Sequence, residues 1–227
     1  MRMGISVAHK IIAVLFVIST AVAAEQSQGF HAPWVSCFDS TGHLTGPKDV
    51  RTQTLNSPGG VHRAFAEIRA AVSGPVQCEN TVLLFVSKNG APFKSVFTQT
   101  PSAAGGTANS LGPVAWSPNG RWLAVEFGYW FYASDNGSLG LLLYDNLTAA
   151  ISTPDIIHQI ERELGKDCEL MLRSVAGMDT QNRVVLSIAD VWDEEGRRSS
   201  CVKETASWLF DPATGRVQPQ SIPNTSH

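Results

Sequence analysis

Aromatic and acidic side chains are concentrated in two separate segments of the chain. The candidate ligand-binding residues are Tyr129, Trp130, Tyr132 and Asp135 in the first segment, and Asp190, Trp192, Asp193, Glu194 and Glu195 in the second. Aromatic rings beside carboxylates suit the binding of a sugar or a peptide, because such a site is partly apolar and partly polar. Clustered carboxylates also offer the hard oxygen ligands that Ca²⁺ prefers, so Ca²⁺ is the one cofactor that this pattern admits. The alternative interpretation is an acidic loop beside aromatic residues of the core.

The rest of the sequence contains no recognisable catalytic or metal-binding motif. No GxSxG, P-loop, HExxH or GxGxxG pattern is present, and neither CxxC nor HxxxH spacing occurs. Asp145 and Asp211 each precede a predicted turn, where an aspartate side chain accepts backbone N–H groups. We therefore expect both residues to stabilise turns, and we assign no residue to catalysis or to a metal site.

Residues 1–23 have the pattern of an export signal. Arg2 and Lys10 form its basic part, an apolar stretch follows, and small residues stand at the cleavage position. Removing this segment leaves Lys+Arg 15 against Asp+Glu 20, a balance that argues against a nucleic-acid partner, which needs a basic surface. The apolar stretch is too short for stable membrane insertion. The sequence thus predicts a soluble protein in the periplasm or outside the cell.

Cysteine usage agrees with export. The mature chain contains Cys37, Cys78, Cys168 and Cys201, which form one close pair in each half of the sequence. Disulfides persist in oxidising compartments, and shorter loops close at a lower entropic cost. We therefore expect the disulfides Cys37–Cys78 and Cys168–Cys201, the alternative being free buried thiols.

The first half of the mature chain changes its pattern near residue 60. Residues 24–60 are polar and rich in turn-forming residues, with one strand candidate at 34–38. Residues 61–99 instead show apolar alternation and continuous apolar runs, which are typical of strands. The predicted strands are 62–72, 81–87 and 93–98, the last two joined by the hairpin signal Asn89-Gly90. Residues 61–99 are thus predicted to form a degenerate β-meander unit.

Residues 100–112 contain almost nothing that packs in a core, so they are predicted to form a flexible loop. A clearer unit follows over 113–152. It begins with a tight turn, Ser117-Pro118-Asn119-Gly120, whose proline and glycine supply the required backbone dihedrals. The predicted strands after the turn are 121–130 and 141–145, with a short return through Ile151.

One helix is predicted, over 154–164 within the segment 153–166. Thr153 is placed to cap its start, and Gly165 suits its C-terminal cap. Its apolar face consists of Ile156, Ile157, Ile160 and Leu164. We expect this face to cover a sheet.

Residues 167–221 repeat the pattern of 113–152 and precede a tail at 222–227. The aligned pairs are Arg121 with Arg183 and Asp145 with Asp211, at offsets of 62 and 66. The shared order of strand, turn, long strand, variable loop and hairpin predicts that both segments fold as β-meanders. Within the turns, we expect Gly120 to need a positive φ more than Asn182, its counterpart.

The segment VAWSPNGRWLAV (114–125), followed by LLLYDNLTA (141–149), resembles one blade of the TolB-type, WD40-like β-propeller repeat. The later unit keeps only the hairpin, as FDPATG. The resemblance implies an all-β fold of propeller-like β-meanders with one short helix. Complete propellers have about four to eight blades. Either residues 25–57 form a degenerate further blade or the units form an open set, and a β-sandwich is the structural alternative.

The sequence predicts an exported, non-catalytic binding or scaffold module whose ligand is a protein, a peptide or a glycan. Two alternatives stay open, because fold does not decide function: a hydrolase of an envelope or extracellular polymer that uses loop carboxylates, and a disulfide-stapled secreted inhibitor. Carboxylates facing each other across a deep cleft favour the hydrolase, and a shallow aromatic patch favours the binder. Since equivalent loops of repeats share an edge, we expect the site where 129–140 and 190–200 converge.

Overall fold

The computed structural model describes residues 32–33, 35–39, 41–74, 77–100, 107–131, 137–165, 168–191, 201–202 and 206–220. Within these ranges the chain forms antiparallel β-sheets, one α-helix and one short 3-10 turn. The predicted all-β class is therefore confirmed. The predicted leader and the tail at 222–227 lie outside the described residues.

The strands form three antiparallel sheets. In the first sheet, β1 (Lys48–Arg51) and β2 (Leu55–Asn56) both pair with β3 (His62–Gly74), followed by β4 (Gln77–Lys88) and β5 (Lys94–Gln99). The second sheet contains β6 (Thr107–Trp116), β7 (Trp122–Phe131), β8 (Gly137–Asp145) and β9 (Ala150–Ser152). The third sheet contains β10 (Leu170–Met178), β11 (Val184–Asp190), β12 (Ala206–Asp211) and β13 (Arg216–Pro219). Each sheet is a meander whose first strand in sequence lies at an edge.

The second sheet lies between the other two and contributes to two separate cores. Leu123 and Val125 pack with the first sheet, whereas Ala124 between them packs with the third. The first sheet contributes Ala64, Ala66, Ile68, Val82, Leu84 and Val86 to one core, and the third sheet contributes Leu170, Leu172, Val184, Leu186, Ile188 and Phe210 to the other. Alternate residues of a strand point to opposite faces, so β7 is apolar apart from Glu126 because both of its faces are buried.

The helix α1 (Ile156–Leu164) packs against the third sheet. Its buried residues are Ile156 and Ile160. Gly165 ends the helix in the left-handed conformation, as the sequence predicts. The N-terminal cap is Asp155 rather than Thr153, because the Asp155 carboxylate accepts the backbone N–H of His158. Within the described ranges no helix is long and apolar enough to cross a membrane.

Two segments predicted to be loops or turns contain strands. Residues 107–112, inside the predicted loop at 100–112, form the first part of β6, where Asn109 and Ser110 are buried. The strands β1 and β2 lie inside the polar segment 24–60. Both are edge strands, which pair on one side only and carry no regular apolar alternation. Conversely, the described part of the predicted strand at 34–38 forms only an isolated bridge between Phe38 and Leu44.

A tight turn precedes β3, β7 and β11. We call the edge formed by these turns, 57–62, 117–122 and 179–183, the turn edge. The Ser117 N–H donates to the Trp122 carbonyl at 2.7 Å, and the Ser117 hydroxyl accepts the Trp122 N–H at 2.8 Å. Ser57 and His62 make the same two bonds at 2.8 and 2.9 Å. The first sheet therefore contains the same turn, Ser57-Pro58-Gly59-Gly60, 60 residues earlier.

The turn of the third sheet is one residue shorter. The Asp179 N–H donates to the Arg183 carbonyl at 2.8 Å, so Arg183 takes the place of Trp122 in the ladder. Arg183 forms an ion pair with Asp179 at 2.7 Å, whereas Arg121 pairs with Asp145 at 3.0 Å. The second and third sheets share the expected strand order, but the predicted equivalence of Arg121 and Arg183 is wrong.

The predicted difference between Gly120 and Asn182 is also wrong. Gly120 has φ 70° and Asn182 has φ 65°, so both occupy the left-handed region. Asparagine tolerates this region better than other non-glycine residues, because its short amide bonds locally. The two turns thus each contain a left-handed residue, which is glycine in one and asparagine in the other.

The aspartates before the later hairpins stabilise turns, as the sequence predicts. The Asp145 carboxylate accepts the Leu147 N–H at 2.9 Å, and the Asp211 carboxylate accepts the Ala213 N–H at 2.8 Å. The side-chain hydrogen bond from Arg121 holds the pKa of Asp145 below its ordinary value, against the opposing effect of burial. Their role is therefore structural.

Candidate functional site

The edge opposite the turn edge carries the connections after β3, β7 and β11, and we call it the loop edge. The turns before β7 and β11 touch, since the Asn119 N–H donates to Asn182 Oδ1 at 3.0 Å. Midway along the strands, Glu126 of β7 contacts Val175 of β10, which pairs with Leu186 of β11. The strand β10 thus links β7 to β11, and both of these strands end at the loop edge.

Both disulfides lie at the loop edge. Cys37–Cys78 ties the N-terminal segment to the start of β4, and Cys168–Cys201 ties the residues before β10 to the residues before β12. Both pairings agree with those predicted from the cysteine spacing. Disulfides are typical of an oxidising, exported environment.

Two of the predicted binding residues are buried at the loop edge. Trp130 is 2% exposed and belongs to the core, and Asp190 is 4% exposed. The Asp190 carboxylate accepts the backbone N–H of Val202 at 3.3 Å, which anchors the segment next to the second disulfide. Tyr129 is half-buried, opposite Ser138 of β8. The predicted residues outside the described ranges are Tyr132, Asp135, Trp192, Asp193, Glu194 and Glu195.

No group of three metal-ligating side chains is assembled within the described residues. The acidic residues that the sequence offers to Ca²⁺, 193–195, fall outside those ranges. A Ca²⁺ site there stays a prediction.

A fully buried carboxylate, Glu126, connects three parts of the chain. Its Oε1 accepts the Ala32 N–H at 3.3 Å, and its Oε2 accepts the Val175 N–H at 3.1 Å. Val175 lies on the edge strand β10, so Glu126 satisfies a donor that has no ladder partner there. Because both oxygens accept backbone hydrogen bonds, we assign Glu126 a structural role.

A second buried polar contact holds the N-terminal segment near the loop edge. Asn80, fully buried in β4, donates to the Val35 carbonyl at 2.7 Å and to the Asn109 carbonyl at 3.4 Å. Asn109 donates back to the Asn80 carbonyl at 3.3 Å. Asparagine pairs of this kind explain why β6 begins with polar residues.

The structure contains a groove that the sequence pattern did not predict. Its volume is about 370 Å³, and it is lined by Pro33, Val50, Arg51, Thr52, Gln53, Thr54, Leu55 and Pro113. The groove therefore lies between the N-terminal segment, the edge of the first sheet and β6 of the second sheet. Its size falls in the range of roughly 300–1,000 Å³ that is typical of small-ligand sites.

The segment 52–54, which interrupts the edge between β1 and β2, forms one wall of the groove. Thr52 stays attached to β3, because its N–H donates to the Ala66 carbonyl at 2.9 Å and its hydroxyl accepts the Ala66 N–H at 2.8 Å. Gln53 and Thr54 are exposed. Neither of their backbone N–H groups donates a hydrogen bond within the described part of the chain. The groove wall thus offers two free backbone donors.

Arg51 stands beside these donors and is held by aromatic rings. Its guanidinium carbon lies 3.4 Å from the centroid of the Phe65 ring and 5.8 Å from that of Phe93. Phe65 in turn stacks on Phe85 with a centroid distance of 4.8 Å. No ion pair joins Arg51 to a carboxylate of the described residues. Cation–π contacts therefore fix the position of an arginine whose charge is not neutralised.

One signal in the sequence indicates the edge strand beside this groove. Ser57-Pro58 repeats Ser117-Pro118, and the latter follows a strand. The residues before Ser57 therefore correspond to the first strand of a repeat unit. The turn-rich composition of 24–60 obscured this correspondence.

No family model matches the chain, and a search of curated proteins finds no relative.

Proposed function

We propose that the protein is an exported, non-catalytic binding module of propeller-like repeats, and that it holds its ligand in the groove beside β1, β2 and β6. The chemistry of the groove lining carries this proposal. Pro33, Pro113 and Leu55 supply apolar surface, whereas Gln53 and Thr54 supply exposed amide and hydroxyl groups. Apolar walls with a few polar groups are typical of binding sites.

The same lining favours binding over polymer hydrolysis. General acid–base catalysis needs a titratable side chain within reach of the substrate, most often His, Asp or Glu. The residues that line the groove include none of these three types. Elsewhere, the buried carboxylates of Glu126 and Asp190 accept backbone hydrogen bonds that hold the fold together.

A bulky side chain placed in the groove tests the proposal. Mature wild-type protein and the Thr54→Trp variant are applied to peptide and glycan arrays, and hits are measured by titration in solution. We expect Thr54→Trp to weaken binding at least about tenfold, equivalent to roughly 1.4 kcal/mol. Thr98→Trp is the matched control, because Thr98 is exposed on β5 of the same sheet and does not line the groove.

Two outcomes contradict the proposal. If neither array gives a hit, the proposed binding function is contradicted. Unchanged affinity in Thr54→Trp, together with a loss in the double variant Tyr132→Ala, Trp192→Ala, places the site at the loop edge instead.

A further inference from the structure

We infer that the ligand of this groove is an extended acidic peptide, which adds as a strand along the free edge of β1 and β2 and places a carboxylate at Arg51. The inference rests on the proposed function, since it names the ligand class of the same groove.

The free edge of the first sheet supports strand addition. β1 and β2 pair with β3 on one side, and no strand in the described part of the chain pairs with their other side. Gln53 and Thr54 leave two backbone N–H groups unused along this edge. An extended peptide recognises such an edge through main-chain hydrogen bonds, as in β-augmentation.

The bound strand cannot extend past Leu55. The Leu55 carbonyl already accepts the Trp116 indole N–H at 3.4 Å, so this carbonyl is occupied. The free stretch therefore lies before Leu55, beside Gln53, Thr54 and Arg51. This placement brings the peptide next to the unpaired guanidinium.

The positive charge of the first sheet favours an acidic peptide. Residues 48–99 contain six Lys or Arg and three Asp or Glu, although the whole chain has a net charge of −3. Glu67, the ladder neighbour of Arg51, bonds instead to Arg69 at 2.6 Å. A residue opposite Arg51 in an added strand has its side chain beside the guanidinium, because paired residues of adjacent strands share a face. Stacking on Phe65 uses the planar face of the guanidinium and leaves N–H groups for a carboxylate.

A peptide agrees with these features better than a glycan. The unused groups are backbone N–H donors at the edge of a sheet, and an extended peptide offers main-chain carbonyl acceptors to such an edge. The groove lining also contains no aromatic ring on which a sugar face could stack. An anionic glycan is therefore the competing outcome of the test.

The first experiment measures charge selection. A phage library of random twelve-residue peptides is panned against the mature protein, and enriched sequences are titrated as synthetic peptides. We expect enrichment of Asp and Glu, and an affinity about tenfold lower for Arg51→Gln. Lys94→Gln is the matched control, since Lys94 is an exposed cation on the opposite edge of the same sheet. Its affinity should stay within about twofold of the wild type.

The second experiment locates the contact. Amide hydrogen exchange is followed by NMR with and without the selected peptide. We expect exchange at Gln53 and Thr54 to slow at least about tenfold, and exchange at Thr98 to stay unchanged.

The two proposals fail in different ways. Peptides without acidic preference, unprotected amides at Gln53 and Thr54, or hits that are glycans only overturn this inference. If Thr54→Trp still abolishes binding of those hits, the groove keeps its proposed function. If neither array nor library yields a ligand, the proposed function itself is overturned.

Discussion

At the turn edge the first and second sheets repeat the same turn, whereas the loop edge carries the two disulfides. Ser57 and Ser117 close their turns with the same pair of backbone and hydroxyl bonds. At the loop edge, Cys37–Cys78 and Cys168–Cys201 cross-link the chain. Short-range hydrogen bonds close the turns. The disulfides instead join residues that are 41 and 33 positions apart in the sequence.

This difference shows which parts of the chain are free to vary. A side chain at the turn edge is constrained by the turn that it closes, so substitution there alters the fold. Along the first sheet's free edge, Gln53 and Thr54 close no such turn, and the pairing of β1 and β2 with β3 holds the scaffold. Segments on a rigid scaffold are where binding residues are most often found.

We expect the largest loss of stability when the Cys37–Cys78 disulfide is removed. The bond spans 41 residues, and both cysteines are fully buried. Cys37→Ala with Cys78→Ala should lower the free energy of unfolding by about 4 kcal/mol, because the unfolded chain regains the entropy of an open loop. Urea denaturation measures this change.

The second disulfide supplies the matched comparison, since it spans 33 residues at the same edge. Cys168→Ala with Cys201→Ala should cost a similar amount. A loss below about 1 kcal/mol in both double variants would contradict the view that the loop edge depends on cross-links.

Substitutions at the turn edge should cause the next largest loss of stability. Gly120→Val and Asn182→Val should each lower the free energy of unfolding by about 2 kcal/mol, because valine is strained at positive φ. Asn182→Val also loses the bond from the Asn119 N–H at 3.0 Å, so it should cost at least as much as Gly120→Val. Thermal or urea denaturation decides the order of the two variants.

Thr180→Val is the control for the turn variants. Thr180 is exposed in the same turn and has no positive φ. Its stability should stay within about 0.5 kcal/mol of the wild type. A smaller loss for Asn182→Val than for Gly120→Val would show that Asn182 does not hold the turn.

The sequence predicted those parts of the fold in which local pattern and packing agree. The apolar runs of β4, β7 and β8, the hairpin at Asn89-Gly90 and the helix stop at Gly165 all follow from local chemistry. In each of these elements one local rule is sufficient. Their existence was therefore predictable, although their ends were not.

The edge strands and the groove were not predictable in the same way. The first part of β6 contains Asn109 and Ser110, which are buried because a partner sheet covers them and not because they are apolar. The groove depends on three segments, near Pro33, Thr54 and Pro113, that meet only in the folded chain. Buried Trp130 and Asp190 show the same limit, since composition does not distinguish an exposed aromatic or acidic residue from a buried one.

A reciprocal pair of substitutions sharpens the comparison between the second and third sheets. Ala149 has φ 56° in the hairpin after β8, where the third sheet has Gly215 at φ 70°. Ala149→Gly should raise the free energy of unfolding by about 1 kcal/mol, and Gly215→Ala should lower it by about 1 kcal/mol. No atom lies within 4 Å of a Cβ built on Gly215, so this cost comes from the backbone alone. Changes of the same sign in both variants would contradict the equivalence of the two hairpins.

The smallest expected effect is on how stability depends on pH. The contact between the first and second sheets at the turn edge contains a histidine, His62. His62 is 8% exposed, and its Nε2 lies 3.0 Å from Asn146 Nδ2. Burial, and then the charge of Lys88, lower the pKa of His62 below its ordinary value of 6.5. The folded state therefore binds this proton less readily than the unfolded chain. The stability contributed by neutral His62 is present above pH 6.5 and is lost as the pH falls through the folded-state pKa.

We therefore expect His62→Gln to reduce the loss of stability between about pH 7 and pH 5. His158→Gln is the control, and it should change the pH dependence of stability in the opposite direction, because hydrogen bonding to Asp155 raises the pKa of His158. Its contribution is present at low pH and is lost as the pH rises through the raised pKa, so its removal should steepen the acid-side loss. Urea midpoints measured across this range, at constant ionic strength, separate the two variants. An unchanged slope in His62→Gln would show that the contact between the first two sheets is as insensitive to pH as the Asn119–Asn182 contact between the last two.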